Sequence, residues 1–148
     1  MKPIVVREGT IAQEITIKTS AERIFDALTK PEELLKWWGA KDKFQATHVE
    51  CDLRVGGKWK MRVESTGGET IVAGEYREIE RPRLLVFTWI RKNEDGVETL
   101  VRWDLEENAG ATTVRVTHSG LSTKALRDRN GGWPIVTGLL KAFVEQSN

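Results

Sequence analysis

The residues Lys58-Trp59-Lys60-Met61-Arg62-Val63 alternate strictly between cations and apolar side chains. Successive side chains of a β-strand point to opposite faces of a sheet, so this spacing predicts a strand with its apolar side facing a core and its cations facing water. The same two-residue period recurs in Val101-Arg102-Trp103-Asp104-Leu105 and in Val114-Arg115-Val116. These stretches predict an antiparallel sheet with one buried face and one solvated face.

Turn residues divide the chain between Phe44 and Thr117 into short extended runs. Pairs such as Gly56-Gly57 and Asp95-Gly96 tolerate the positive φ that tight hairpins need. Short turns between successive strands favour an antiparallel meander over parallel βαβ units. The seven predicted strands are Thr10–Ile17, Phe44–Cys51, Lys58–Glu64, Thr70–Ile79, Leu84–Arg91, Thr99–Glu106 and Thr112–Thr117.

Two short helices are predicted between the first strand and the second. Thr19 and Glu22 have the spacing of a capping box, which predicts a helix over Ser20–Leu28. Thr29-Lys30-Pro31-Glu32 repeats that pattern with proline in the first turn and predicts a second helix that ends at Gly39.

The last helix sets the shape of the sheet. It is predicted to begin near Gly132 or Trp133, separate from any helix within Thr123–Arg129. Seven strands about 4.8 Å apart make a sheet roughly 30 Å wide, whereas one helix with its side chains is about 10–12 Å across. The sheet must therefore curl around the helix, and the space between them is filled by large side chains or stays partly hollow.

Composition places the chain among soluble globular proteins. It has 148 residues, 39% of them hydrophobic, which is typical of a single domain over 1–148 with a core over about 10–146. Its 23 basic and 22 acidic residues give no electrostatic reason to expect nucleic acid or an anionic membrane as a partner, and we expect no insertion into a membrane. The single Cys51 excludes an internal disulfide and a CxxC motif. We expect a cytoplasmic monomer or weak homodimer without a leader segment.

Several short motifs follow one another in a fixed order. They are Thr29-Lys30-Pro31-Glu32 with Trp37-Trp38, Asp52-Leu53-Arg54-Val55-Gly56-Gly57, Gly74-Glu75-Tyr76-Arg77-Glu78-Ile79, Leu85-Val86-Phe87-Thr88-Trp89, His118-Ser119-Gly120-Leu121 and Gly132-Trp133. Their order and spacing, from about Ile11 to Val144, resemble the activator of heat shock protein 90 ATPase homologue-like family of the START/SRPBCC superfamily.

The resemblance implies an α+β helix-grip fold, like that of the birch pollen allergen. In this fold a curved seven-stranded antiparallel sheet (β-α-α-β6-α) wraps around a long C-terminal helix, and two short helices close one end. A deep, mostly apolar pocket lies between the sheet and the helix. The eponymous co-chaperone has an additional N-terminal domain, for which we expect 148 residues to leave no room. The family title is therefore not taken as this protein's activity.

Candidate pocket residues lie on the inner face of the predicted sheet, on the last helix or at the end of the second short helix. An inward tyrosine hydroxyl or indole N–H needs a polar partner, which a ligand carbonyl or a bound water provides. Core packing is the competing interpretation for each aromatic ring. The candidates are Trp38, Trp59, Met61, Tyr76, Phe87, Trp89, Val101, Trp103, Val116, His118, Trp133 and Leu140.

His118 has two interpretations. It is in phase with Val114 and Val116, so its ring points inward and can contact a ligand near the mouth of a pocket. We favour the alternative, in which the ring satisfies backbone groups of the turn at Ser119-Gly120.

The residues around Cys51 resemble a metal site only superficially. Strand alternation points His48 and Glu50 to one face and Cys51 to the other, so they cannot converge on one ion without outside ligands. We expect no metal and no cofactor, and no residue is assigned a catalytic role.

The sequence favours a non-enzymatic module that binds a small hydrophobic or amphipathic molecule, such as a lipid, in an internal cavity. The broad apolar inner face supports this hypothesis. The alternative is a cyclase, dehydratase or hydrolase that uses His118, Tyr76 or an inward acid for proton transfer, as some superfamily relatives do. A third hypothesis, suggested only by the family name, is a stress protein that contacts a chaperone and acts through its surface.

Overall fold

The computed structural model describes residues 4–7, by their backbone alone, and residues 9–146. The strands are β1 (Ile4–Arg7), β2 (Thr10–Ile17), β3 (Gly39–Ala40), β4 (Phe44–Cys51), β5 (Lys58–Ser65), β6 (Gly68–Glu80), β7 (Leu84–Arg91), β8 (Glu98–Asn108) and β9 (Ala111–Ser119). The helices are α1 (Ala21–Thr29), α2 (Pro31–Trp37), α3 (Lys124–Arg129) and α4 (Trp133–Gln146).

The strands form one antiparallel sheet in the order β1-β2-β9-β8-β7-β6-β5-β4-β3. The predicted α+β helix-grip architecture is confirmed, with α4 packed against β2, α1 and α2. The predicted number of seven strands is wrong, because the described chain adds one strand at each edge of the sheet. One of these, β3, is only two residues long and is too short for any periodicity to indicate it.

The N-cap of helix α1 lies one residue later than predicted, and the helix begins at Ala21. Ser20 is the N-cap, and its hydroxyl oxygen accepts a hydrogen bond from the Arg23 N–H at 3.2 Å. The capping role predicted for Thr19 is wrong because the Thr19 main chain still bonds to the sheet: its N–H donates to the Ile17 carbonyl, and its carbonyl accepts from the Thr112 hydroxyl.

The capping pattern predicted for α2 is also wrong. The Thr29 hydroxyl donates to the Phe25 carbonyl at 2.7 Å and so belongs to the last turn of α1. The N-cap is Lys30, whose side chain makes no capping hydrogen bond. Pro31 stands in the first turn as predicted, where the missing N–H costs nothing.

The Ser20 cap predicts a measurable contribution to stability. Ser20→Ala removes the hydroxyl that accepts from the Arg23 N–H and should lower the free energy of unfolding by about 1 kcal/mol. Ser20→Asp keeps an acceptor and should retain most of that stability. Urea denaturation of the three proteins measures the difference, and an alanine variant as stable as the wild type would show that the cap contributes nothing.

Aromatic rings fill much of the space between α4 and the middle of the sheet. Trp133 lies in the first turn of α4. Its ring centroid is 5.5 Å from that of Trp89, 5.8 Å from that of Trp103 and 6.4 Å from that of Trp38. The ring of Trp89 in turn lies 5.6 Å from that of Trp59. Large side chains therefore bridge the width that one helix does not cover.

Candidate functional site

A small apolar cavity of about 40 Å³ remains between the inner face of the sheet and the helices. Its wall consists of Leu28, Leu34, Trp38, Val49, Cys51, Trp59, Met61, Tyr76, Phe87, Trp89, Trp103 and Trp133. The helices α1, α2 and α4 contribute three of these side chains, and strands β4 to β8 contribute eight. The twelfth, Trp38, stands directly after α2. We call this space the inner cavity.

Eight of the twelve sequence candidates lie in the wall of the inner cavity. They are Trp38, Trp59, Met61, Tyr76, Phe87, Trp89, Trp103 and Trp133. The other four, Val101, Val116, His118 and Leu140, are completely buried in the packed core and are not part of that wall. Strand phase identifies the side chains that point inward, but it does not show where the interior is filled.

Four wall residues were missed from the sequence. Leu28 and Leu34 belong to the apolar sides of α1 and α2, which the sequence indicated without linking them to a pocket. Val49 and Cys51 stand two residues apart on β4, among exposed polar neighbours. That spacing was the available signal that both side chains point inward.

A second apolar space, of about 210 Å³, opens between the ends of strands β4 to β7 and the first turns of α4. It is lined by Trp38, Phe44, Met61, Val63, Ser65, Thr70, Val72, Trp89, Arg91, Gly132, Ile135 and Val136. We call it the outer groove. Trp38, Met61 and Trp89 border both spaces, so side chains rather than backbone separate the groove from the cavity.

Trp38 holds a fixed main-chain position at this boundary. Its N–H donates to the Leu34 carbonyl at 3.0 Å, and its carbonyl accepts from the Ala46 N–H at 2.9 Å. Its side chain is only half-buried and contacts the rings of Trp37 and Trp89. The ring is therefore partly exposed at the boundary, on a main chain that is hydrogen-bonded at both its N–H and its carbonyl.

His118 is hydrogen-bonded to two side chains of the core. The Trp133 indole N–H donates to Nδ1 at 3.2 Å, and Nε2 lies 2.7 Å from the Thr99 hydroxyl oxygen. That hydroxyl donates to the Trp89 carbonyl at 2.9 Å. A neutral ring with its proton on Nε2 satisfies every one of these groups, so His118 ties β8, β9 and α4 together.

The environment of His118 keeps its ring neutral. Burial, and secondarily the positive charge of Arg91, lower the pKa of His118 from 6.5 to about 3. The predicted contact with backbone groups of Ser119-Gly120 is wrong, because both ring nitrogens bond to side chains from other elements. At neutral pH the ring is therefore uncharged, and both of its nitrogens are engaged in hydrogen bonds within the core.

Two titratable side chains of the cavity wall interact with each other. The Tyr76 hydroxyl and the Cys51 thiol lie close enough in the wall for each to influence the pKa of the other. Burial raises the pKa of the Cys51 thiol, and burial together with Cys51 raises the pKa of Tyr76. Both groups are therefore protonated at neutral pH, and neither acts there as a base or a nucleophile.

The polar residues near Cys51 lie away from the cavity. His48 Nε2 and Glu50 Oε2 are 2.6 Å apart, and both side chains are exposed. Among residues 9–146, no three His, Cys, Asp or Glu side chains come together as metal ligands. None of the helices in the same part of the chain has the length and apolar character needed to cross a membrane.

Solved structures share this fold at low sequence identity. A protein from Chromobacterium violaceum is 23% identical, with a TM-score of 0.81 over 93% of this chain and 97% of that one. A protein from Nitrosomonas europaea is 18% identical, with a TM-score of 0.79 over 97% and 98%. An AHSA1-like protein from Aeromonas hydrophila is 24% identical, with a TM-score of 0.75 over 93% of both chains.

Sequence comparison assigns the family more directly. No curated protein matches the chain. The family model described as Activator of Hsp90 ATPase homolog 1-like protein matches residues 18–145. This range contains α1, α2, strands β3 to β9, α3 and nearly all of α4. Because this match spans most of its length, the chain belongs to the Activator of Hsp90 ATPase homolog 1-like family.

Proposed function

We propose that this protein is a binding module for a small hydrophobic or amphipathic molecule, which lies in the outer groove and extends toward the inner cavity. One observation carries the proposal: an apolar groove of about 210 Å³ and an apolar cavity of about 40 Å³ share a wall made of side chains. Apolar concave spaces with few polar groups are typical of sites for small molecules.

The sizes of the two spaces determine where a ligand would lie. An apolar cavity of about 150 Å³ holds benzene, so a space of about 40 Å³ is too small for a ring. The outer groove has room for one. The body of the ligand therefore occupies the groove, and a larger molecule reaches the cavity only when the Trp38 ring moves aside.

Truncation of Trp38 tests this proposal. Trp38→Ala should join the cavity and the groove, because Trp38 borders both spaces. The variant should bind 2-methylnaphthalene about tenfold more tightly than the wild type, since an enlarged apolar cavity gains contacts with an apolar ligand. Titration followed by indole ¹H–¹⁵N resonances, together with the ligand-dependent rise in Tm, measures the two affinities.

The neighbouring Trp37 supplies the control. Trp37 is buried, its indole N–H donates to the Ala27 carbonyl at 2.8 Å, and it borders neither the cavity nor the groove. Trp37→Phe should lower stability and leave the affinity for 2-methylnaphthalene within about twofold of wild type. If the wild type does not bind apolar aromatics at millimolar concentration, the proposed function is wrong.

A further inference from the structure

The indole N–H of Trp89 has no hydrogen-bond partner among the residues that the structure describes. The side chain is only 7% exposed, so bulk water does not satisfy this donor. A buried N–H without an acceptor is costly, and native proteins contain few of them. This donor therefore requires an explanation.

The neighbouring donors and acceptors are paired with one another. The Trp59 indole donates to the Thr88 carbonyl at 3.2 Å, and the Trp133 indole donates to His118 Nδ1 at 3.2 Å. Trp89 lies between Trp59 and Trp133, with ring centroids 5.6 and 5.5 Å away. Of these three adjoining indoles, only that of Trp89 lacks an acceptor in the described chain.

Trp89 also lies where a ligand would meet it. Its side chain borders the inner cavity, the outer groove and a third space of about 60 Å³ beside Asn130. We propose that the bound molecule carries a neutral hydrogen-bond acceptor, of the ketone, ester or lactone type, which accepts from the Trp89 indole N–H. This inference rests on the proposed function and specifies the class of ligand.

The charges around the site favour a neutral acceptor over a carboxylate. No cationic side chain lines the inner cavity within the described structure. Arg91 borders the groove, but its guanidinium already donates to Asn130 Oδ1 at 3.0 Å, to Glu94 Oε2 at 3.2 Å and to the Arg129 carbonyl at 3.0 Å. A carboxylate beside Trp89 would lose its hydration without gaining a free cation.

Two probes of nearly equal shape test the inference. Acetophenone carries a carbonyl where α-methylstyrene carries a methylene group, and benzoate supplies the charged comparison. The ratio of the two Kd values, α-methylstyrene over acetophenone, should be about tenfold larger in the wild type than in Trp89→Phe. Comparing this ratio between proteins cancels the difference in hydration of the probes. Benzoate should bind more weakly than acetophenone.

Trp59→Phe is the matched control. Trp59 lines the same cavity, but its N–H already donates to the Thr88 carbonyl. The ratio of the two Kd values in Trp59→Phe should therefore stay within about twofold of the ratio in the wild type.

A measurement on the wild type alone does not depend on how well the variants fold. Acetophenone should shift the indole proton of Trp89 downfield, as expected for a new hydrogen bond to oxygen, and α-methylstyrene should not.

The outcomes separate the inference from the proposed function. If both probes bind but Trp89→Phe keeps the wild-type ratio, or if the Trp89 indole proton responds equally to both, the acceptor inference is overturned and the proposed function stands. If benzoate binds more tightly than acetophenone, the inference that the acceptor is uncharged is wrong. If neither uncharged probe binds the wild type, the proposed function fails and the inference fails with it.

Discussion

Lowering the pH from 7 to 4 should remove about 3 kcal/mol of the stability that the neutral His118 ring contributes. The folded-state pKa is about 3, below the unfolded value of 6.5, because the ring is buried and lies near Arg91. Above pH 6.5 neither state binds a proton at this residue. Between pH 6.5 and 3 the unfolded state binds one more proton than the folded state, so stability falls as the pH falls.

A variant without this imidazole isolates the effect from the carboxylates that titrate in the same range. His118→Gln should be less stable than the wild type at pH 7, because it disturbs the bonds to Thr99 and Trp133. Urea denaturation at pH 7, 6, 5 and 4 should show this difference shrinking by about 3 kcal/mol. His48→Gln removes the other, exposed histidine and should keep the wild-type loss. If the free energies of unfolding of the wild type and His118→Gln fall in parallel as the pH falls, the His118 ring is not held neutral in the folded protein.

Replacing Gly74 by alanine should destabilise the protein by about 3 kcal/mol, at the upper end of the usual cost of overpacking. A Cβ atom at Gly74 would lie 1.8 Å from the Thr88 carbonyl oxygen and 2.7 Å from the Trp59 indole nitrogen. The Thr88 backbone has little freedom to move away. Its carbonyl accepts from the Trp59 indole, and its hydroxyl accepts from the Glu75 N–H at 2.8 Å.

Gly138 provides the matched control for this substitution. It is exposed on α4, and a Cβ atom there meets nothing within 4 Å. Gly138→Ala should therefore stabilise the protein by about 0.5–1 kcal/mol, because alanine has the better helix propensity. Urea denaturation at pH 7 compares both variants with the wild type. A Gly74→Ala protein of wild-type stability would mean that β6 and β7 are not in such close contact at this position.

Local patterns predicted the fold well because each strand carries its own periodicity. The alternation in Lys58–Val63 placed Trp59 and Met61 on the inner face, where both line the cavity. The cap of α1 was mispredicted because it depends on neighbours distant in sequence. Threonine is a common N-cap residue, but the main chain of Thr19 is hydrogen-bonded to the sheet. Ser20 therefore caps α1 instead.

The candidate site was harder to predict than the fold, because its contacts also join residues that are distant in sequence. The favoured interpretation of His118 paired its ring with the turn at Ser119-Gly120, but its partners Thr99 and Trp133 come from β8 and α4, which no local pattern connects to it. The volume left inside the sheet depends on how all the aromatic rings pack together. Sequence reasoning therefore indicated the aromatic wall without indicating that the inner cavity is as small as about 40 Å³.

The most direct test of ligand binding between the sheet and α4 is a crystal structure of the protein soaked with 4′-bromoacetophenone. Anomalous scattering locates the bromine independently of the refined ligand. We predict a bromine peak in the outer groove or the inner cavity, with the carbonyl oxygen about 2.8–3.2 Å from Trp89 Nε1. A structure in which bromine occupies only the outer face of the sheet, or in which both spaces stay empty at millimolar ligand, would contradict the proposal.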